Sequence, residues 1–155
     1  FVEEGFKSAL ADSSAEIVVT KYGDTGKEIQ LILIEEALGE RPDVDYLVGS
    51  AVTAGAAVSV LRAKGLSNRI KILADYFTHA VYRGIKRGKI LAAPTDFAIV
   101  QGRLGIEQAV RVLEGKLTLK HVGPAITLID SKNVNEIGTS QSLAPATFTP
   151  TFIIE

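Results

Sequence analysis

The sequence predicts an α/β fold, a doubly wound parallel sheet with helices on both faces. Three units follow one another between Asp43 and Lys116: DYLVGSAVTAGAAVSVLRAKG, IKILADYFTHAVYRGIKRG and KILAAPTDFAIVQGRLGIEQAVRVLEGK. Each unit begins with a short apolar run and continues through a polar loop into an amphipathic stretch that ends near glycine. This rhythm is typical of parallel strands joined by helices. The 46% apolar and 23% charged fractions are ordinary for a globular domain.

The elements follow from apolar periodicity and from residues that start and stop helices. The pattern predicts strands over 16–22, 44–48, 70–74, 90–93 and 125–129, and helices over 1–11, 25–39, 52–64, 78–88 and 96–114. Asp24, Thr78 and Asp96 are the expected N-caps, and Gly39, Gly65, Gly88 and Gly115 lie near the helix ends. Pro94 is expected to stop the fourth strand. Gly102 and Gly105 are expected to let the last helix pack closely on the sheet.

The two ends of the chain carry separate expectations. The opening residues can be a first helix of the domain, or a piece cut just after a strand. A start at Phe1 without Met suggests a processed or trimmed chain. Residues 131–155 contain loop residues and two prolines, and we interpret them as a return through a hinge and a C-terminal segment.

Composition excludes several classes of function. A net charge of −1 gives no electrostatic reason to expect nucleic acid or an anionic membrane as a partner. No apolar run approaches the roughly 20 residues that span a bilayer. The absence of cysteine excludes disulfides and thiolate metal sites, and is compatible with both periplasmic and cytosolic proteins.

The sequence does not match the motifs of common enzymes and cofactor sites in full. GDTGKE at 23–28 lacks the first glycine and the final Ser or Thr of a phosphate-binding loop, and no G-x-G-x-x-G follows a strand. Ser50 lacks the flanking glycines of a hydrolase nucleophile, and only His79 and His121 could serve as its base. The histidines and carboxylates show no metal-ligand spacing. We therefore expect no catalytic residue, metal or cofactor.

Side chains that follow the predicted strands form the candidate binding site. In open parallel sheets, ligands bind beyond the carboxyl ends of the strands. The residues placed there are Tyr22, Ser50, Thr53, Asp75, Tyr76, Asp96 and Phe97. Asp75 has the strongest case, because no helix start explains it. Asp96 can instead serve only as a helix cap, and Tyr76 and Phe97 only in packing.

The run from Ile70 to Lys116 resembles the second lobe of type I periplasmic binding proteins of the ribose-binding-like group. The features that carry the resemblance are the Asp at a strand end, Asp75, the phrase at 85–92 leading into the next strand, and the polar strand end at Thr95 and Asp96 before a long helix. EEGFKSAL resembles the first helix of that lobe, and ITLIDSKN resembles its last crossover to the hinge.

The resemblance implies a two-lobed receptor of which this chain is mainly the C-terminal lobe. Residues 1–130 would form the ligand-binding lobe and 131–155 the hinge return and C-terminal segment, with the N-terminal lobe absent from this chain. Asp75 matches a ligand-contacting Asp of the family, and Asp96 lies close to another contact position. Ser50 stands where sugar-binding members carry Asn or Asp, which disfavours a sugar because its hydroxyls need amide or carboxylate partners.

Two phrases narrow the implied function within that family. DYLVGSAVTAGAAVSVLRAKG and LAPATFTPTF are similar to those of a periplasmic receptor that senses trimethylamine N-oxide and acts with a membrane sensor histidine kinase in signal transduction. A trimethylammonium group is held by aromatic faces and nearby negative charge, which Tyr76 with Asp75 or Asp96 can supply. The alternatives are a sugar-binding receptor of an ABC transporter and the effector-binding domain of a LacI-like repressor. A non-enzymatic role is expected in all three.

Overall fold

The structure, a computed structural model, describes residues 2–136 and 139–151. Within these residues, the sheet has the strand order β1-β2-β3-β4. The strands are β1 (Tyr46–Gly49), β2 (Lys71–Ala74), β3 (Ala92–Thr95) and β4 (Thr127–Asp130). The first three run parallel, so the predicted α/β class with a parallel sheet and helices is confirmed. The expected helix start at Phe1 and the end of the C-terminal segment lie outside the described residues.

The last strand, β4, runs antiparallel to β3, with Ala92 opposite Asp130 and Thr95 opposite Thr127. The path of the chain before β4 explains this direction. The side chain of Gln108 donates to the Leu119 carbonyl, and residues 120–126 line a cavity together with the first half of the preceding helix. The chain has therefore already returned to the carboxyl end of the parallel strands, and β4 can only run back from there.

The described residues contain five α-helices and one short 3-10 helix. They are α1 (Val2–Leu10), α2 (Lys27–Glu40), α3 (Ala51–Ala63), α4 (His79–Lys86) and α5 (Ala98–Leu113), with the 3-10 helix at Thr139–Gln141. Thr78 caps α4 as predicted, because its hydroxyl accepts from the Val81 N–H. Gly65, Gly88 and Gly115 follow the helices with positive φ, which confirms them as stop signals.

Two predicted helix caps are wrong. Gly26 occupies the N-cap position of α2, while the Asp24 carboxylate accepts from the Thr25 N–H. Phe97, in the left-handed conformation at φ 55°, occupies the N-cap position of α5, so Asp96 lies one residue too early to cap it. A short polar side chain can bond nearby backbone groups in a turn as readily as at a helix start, and sequence alone does not separate the two.

The strand predicted over 16–22 is also wrong, because these residues form no regular secondary structure and pair with no strand in the described part of the chain. An extended segment becomes a strand only where a neighbouring strand takes up its N–H and C=O groups. Here a side chain holds the segment instead: Lys21 forms ion pairs with Glu36 and Glu40 on α2.

Strand β3 continues through Pro94 to Thr95, so the prediction that Pro94 stops it is wrong. Proline fits extended backbone and gives up only its own N–H donor, which the pairing with Leu128 of β4 tolerates. The longer strand carries Thr95, which is only 2% exposed, to the end of the sheet.

The core lies where α3 crosses β1 and β2, with α2 and α4 packed against α3. Small residues on the buried face of α3 allow the close approach: Ala54, Ala56 and Ala57 are almost fully buried. The remaining core includes Ile34 and Leu38 of α2, Leu61 of α3, Ile72 of β2, Val81 and Ile85 of α4, and Ile129 of β4. The carboxyl ends of β1 and β2 thus lie next to the main hydrophobic core.

Helix α5 contains no fully buried residue, and it packs chiefly on the 3-10 helix. A Cβ added at Gly102 or at Gly105 would meet nothing within 4 Å. The expectation that these glycines permit close packing on the sheet is therefore wrong for the described residues, because the contacting surface of the helix lies elsewhere.

Gly102→Ala is expected to stabilise the lobe by about 0.5–1 kcal/mol, because alanine restricts the unfolded chain and the added methyl has free space. Urea denaturation of the full-length protein measures the change. Gly115→Ala is the control and should destabilise, since its φ of +66° disfavours a side chain. A loss of stability at Gly102 would show that α5 packs tightly against another surface.

No helix within residues 2–136 and 139–151 has the length and apolar character needed to cross a membrane.

Candidate functional site

The end of β1 carries a connected set of polar side chains. Ser50 caps α3 by accepting from the Thr53 N–H at 3.1 Å, and the hydroxyl oxygens of the two residues are 2.8 Å apart. Thr53 also donates to Oε1 of Gln30 at 2.7 Å. The side chain of Gln30 in turn donates to the Asp24 carbonyl at 2.6 Å. The two predicted residues, Ser50 and Thr53, therefore lie together and are held by a third that was not predicted.

Gly49 fixes the position of Thr53. A Cβ at Gly49 would stand 2.8 Å from Cγ2 and 2.9 Å from Cβ of Thr53, distances too short for any carbon contact. Only glycine at the last position of β1 allows the Thr53 side chain to lie over the strand end and reach Gln30.

Asp75 and Tyr76 follow β2 at the same edge. The Asp75 N–H donates to the Gly49 carbonyl at 2.9 Å, which extends the β1–β2 pairing by one residue and sets Asp75 beside Ser50. Partial burial raises the pKa of the Asp75 carboxyl, against an opposing effect of its own backbone N–H. The Tyr76 side chain is 46% exposed. A partly desolvated carboxylate and a half-exposed tyrosine are thus successive residues at the end of a central strand.

The end of β3 is shaped by Thr95. The hydroxyls of Thr95 and Ser142 lie 2.8 Å apart in a buried pair, and Thr95 also accepts from the Phe97 N–H. These bonds hold Phe97 in its left-handed conformation, which costs a non-glycine residue about 1 kcal/mol or more. Such strain persists only where its surroundings enforce it, and it is concentrated at ligand-binding positions.

Asp96 lines a cavity of about 450 Å³ between α5 and the loop that precedes β4. Its lining residues are Asp96, Gln101, Leu104, Gly105, Gln108, Lys120, Val122, Gly123, Pro124 and Ile126. Asp75 and Tyr76 are not among them. Asp75 and Ser50 thus follow paired strand ends, β2 and β1, while Asp96 lines a separate cavity.

Tyr22 lies on the irregular segment that precedes α2 and is 73% exposed. Its hydroxyl donates to the Glu3 carboxylate of α1 at 2.8 Å, and this hydrogen bond raises the pKa of Tyr22. Because residues 16–22 do not form a strand here, no register ties Tyr22 to the edge that carries Ser50 and Asp75.

His79 is the first residue of α4, as its sequence position indicated. Its Nε2 lies 2.8 Å from the Ala144 carbonyl, which can only accept, so the imidazole donates there. The described residues contain no group of three His, Asp or Glu side chains that could hold a metal ion.

Gln30 and Gly49 are the two site residues that the sequence analysis missed. Gln30 is 8% exposed and falls four residues before Ile34 and eight before Leu38, the buried stripe of α2. A polar residue in register with an apolar stripe must find partners inside the protein, and that spacing was the signal available in the sequence.

The chain matches a known protein family along almost its whole length. The sequence profile of the family described as periplasmic binding proteins and sugar binding domain of the LacI family matches residues 2–151. The chain belongs to this family. The resemblance inferred from Asp75, the phrase at 85–92 and the polar end of β3 is thereby confirmed. The known members are binding proteins.

Among periplasmic binding proteins, the chain is similar to the periplasmic protein TorT of Escherichia coli K12, with 36% identity over 152 residues. It also matches the solved complex of TorT with the TorS sensor domain in the presence of trimethylamine N-oxide, at a TM-score of 0.89 over 97% of this chain. A solute-binding protein of an ABC transporter from Bradyrhizobium sp. BTAi1, solved with bound Bis-Tris, is 46% identical over 97% of this chain, also at a TM-score of 0.89.

The chain spans only about half of these relatives. It covers 44% of TorT, 51% of the TorT chain in the complex and 45% of the Bradyrhizobium protein. The predicted similarity to TorT is confirmed for this half.

Proposed function

We propose that this chain is the ligand-binding lobe of a periplasmic solute receptor. The receptor binds a small methylated ammonium solute, with trimethylamine N-oxide as the leading ligand, and acts with a membrane sensor histidine kinase. It performs no chemistry on the solute. The observation that carries the proposal is that the partly buried Asp75 carboxyl and the half-exposed Tyr76 follow each other at the end of β2.

The chemistry of this pair suits a quaternary ammonium centre. Such a group has no hydrogen-bond donor, and it is held by aromatic faces and by negative charge close to its methyl groups. Tyr76 offers the face and Asp75 the charge, on adjacent residues of one strand end. The strained Phe97 stands after the next strand, β3, as a second aromatic group.

The relatives support an amine-centred ligand. TorT is solved with its sensor partner in the presence of trimethylamine N-oxide, and the Bradyrhizobium protein is solved with Bis-Tris, a tertiary amine. Both matches include the β1 and β2 ends of this chain, since each covers 97% of it.

We assign residues 1–130 to the ligand-binding lobe and 131–155 to a hinge return and C-terminal segment. In the described part of that segment, Val134 and Leu143 are buried against the core. Ser142 bonds Thr95 at the end of β3, and Ala144 bonds His79 at the start of α4. A segment anchored beside two strand ends is well placed to transmit closure of the cleft.

Calorimetric titration of the full-length protein with trimethylamine N-oxide and with ribose tests the proposal. Saturable heat with the amine oxide and none with ribose is expected. Heat with ribose alone would indicate a sugar receptor instead. It would also mean that serine at position 50, where sugar-binding members carry Asn or Asp, does not prevent sugar binding.

Tyr76→Ala is expected to weaken binding of trimethylamine N-oxide by about 1–2 kcal/mol, the range for a desolvated cation–aromatic contact. Tyr46→Ala is the matched control, because Tyr46 is 57% exposed at the opposite, amino end of β1. Calorimetry on both variants measures the difference. Equal affinities for the two variants would mean that Tyr76 does not touch the ligand.

A further inference from the structure

The hydrogen bonds of Gln30 and Thr53 determine whether the Ser50 hydroxyl can donate to a solute or can only accept from it. The Asp24 carbonyl, 2.6 Å from Nε2 of Gln30, can only accept a hydrogen bond. The amide of Gln30 must therefore turn its NH₂ group toward Asp24 and its oxygen toward Thr53. Gln30 is 8% exposed, so its amide is largely shielded from solvent.

The direction of the Thr53 hydroxyl proton is then fixed by its acceptor. Its hydroxyl lies 2.7 Å from the Gln30 oxygen, an acceptor, so the single hydroxyl proton of Thr53 is donated there. The hydroxyl oxygens of Ser50 and Thr53 are 2.8 Å apart, and a proton must lie between them. Ser50 has to supply it.

Ser50 has no proton left for a solute. Its oxygen also accepts from the Thr53 N–H at 3.1 Å, which uses one of its two lone pairs. One acceptor position remains on this half-buried side chain. The carboxylate of Asp75, set beside Ser50 by the bond between its N–H and the Gly49 carbonyl, likewise accepts and carries negative charge.

We propose that Gln30 and Thr53 are positioning residues that fix the Ser50 hydroxyl as an acceptor, so that the β1–β2 end of the site selects the cationic or hydrogen-bond-donating end of the solute. This inference rests on the proposed binding function. It orients the ligand: the nitrogen and its methyl groups face Ser50 and Asp75, and the oxygen of an amine oxide faces away from this edge.

Neutron diffraction from deuterated crystals of the full-length protein tests the proton directions without any ligand. Deuterium is expected between Thr53 and Gln30 on the threonine oxygen, and between Ser50 and Thr53 on the serine oxygen. A Ser50 deuteron that points into the cleft overturns the inference, whatever the protein binds.

A matched pair of ligands tests the consequence for selectivity. Trimethylammonium and trimethylamine N-oxide have the same three methyl groups, but the first offers an N–H donor and the second an oxide acceptor. Thr53→Val releases the Ser50 proton, so the ratio of oxide to trimethylammonium affinity should rise about 5- to 10-fold, the value of one new neutral hydrogen bond. Ser59→Ala, which removes another hydroxyl of α3, should leave the ratio unchanged.

The outcomes separate the two proposals. If Thr53→Val weakens binding of both ligands by the same factor, Thr53 has a structural role only. That result would overturn the proposed selectivity. If the single variant does not fold, because the Gln30 oxygen is left unpaired, Gln30→Leu/Thr53→Val removes both partners and carries the same test. If the wild-type protein binds neither ligand, the proposed function fails, and the neutron result alone decides the direction of the relay.

Discussion

Asp75→Asn is expected to weaken binding of trimethylammonium to the full-length protein by about 2–3 kcal/mol, or roughly 30- to 150-fold. A full positive charge about 4 Å from a carboxylate near a protein surface is attracted by about 4 kcal/mol, of which solvent and salt screen a part. Asparagine keeps the shape of the side chain and removes the charge. Calorimetric titration measures the loss.

The same substitution should affect trimethylamine N-oxide less, by about 1 kcal/mol, or about fivefold. The oxide is bonded directly to the cationic nitrogen, so the carboxylate repels it while attracting the methyl groups. Asp45→Asn is the control, since Asp45 lies immediately before β1 at the opposite edge of the sheet. A larger loss for the amine oxide than for the cation would contradict the orientation proposed for the ligand.

The pH dependence of binding follows from the raised pKa of Asp75. Partial burial favours the neutral carboxyl, so the charge that attracts the ligand is lost on acidification at a higher pH than for an ordinary Asp. Affinity should fall as the pH is lowered toward that raised pKa. In Asp75→Asn this part of the pH dependence should disappear.

Folding stability should change in the opposite direction. A carboxyl whose folded-state pKa is raised favours folding fully below its unfolded pKa, and this contribution is lost as pH rises through the folded pKa. At neutral pH the ionised Asp75 therefore costs stability, and Asp75→Asn should raise the Tm slightly while weakening binding. The gain should vanish at acid pH. A variant that is less stable at neutral pH would show that the carboxylate has a structural partner.

Gly84→Ala is expected to destabilise the lobe by about 1–3 kcal/mol, the usual cost of overpacking a core. The added Cβ would stand 2.5 Å from Cδ1, 2.8 Å from Cγ1 and 3.3 Å from Cβ of Ile90. Ile90 is 3% exposed, so its side chain cannot move aside. Helix α4 would have to withdraw from the beginning of β3. Urea denaturation of the full-length protein measures the effect.

A double substitution identifies the contact responsible. Ile90→Val removes Cδ1, the nearest atom, and should recover part of the stability lost in Gly84→Ala, so that the two changes are not additive. Gly102→Ala is the matched helix control, because its added methyl has free space. Strictly additive losses at Gly84 and Ile90 would mean that the helix relaxes without strain.

The sequence was sufficient for elements whose signals are local. Thr78 caps α4 because its hydroxyl reaches an N–H three residues ahead, and Gly65, Gly88 and Gly115 end helices because they adopt positive φ. The apolar runs before these helices became β1, β2 and β3. The sequence was insufficient where an element depends on a partner strand. Residues 16–22 have the composition of a strand, but no described strand pairs with them.

The candidate site, too, could be predicted from the sequence only in part. The sequence was sufficient to predict that Ser50, Thr53, Asp75 and Tyr76 follow strand ends, and that these residues bind a ligand stays a prediction. It could not find the position of Asp96, which depends on how the loop before β4 lies against α5. Nor could it find the link from Gln30 to Thr53, which joins residues 23 positions apart.

The amino-acid sequence by itself determined that the chain alternates strands and helices and that carboxylates, hydroxyls and aromatic rings follow the strands. These properties are set by neighbours within a few residues. Only the tertiary structure decided which of those side chains meet and in which direction the Ser50 proton points. Hydrogen-bond partners distant in the chain are chosen by packing, and a hydroxyl takes its direction from whatever acceptor the fold brings within reach.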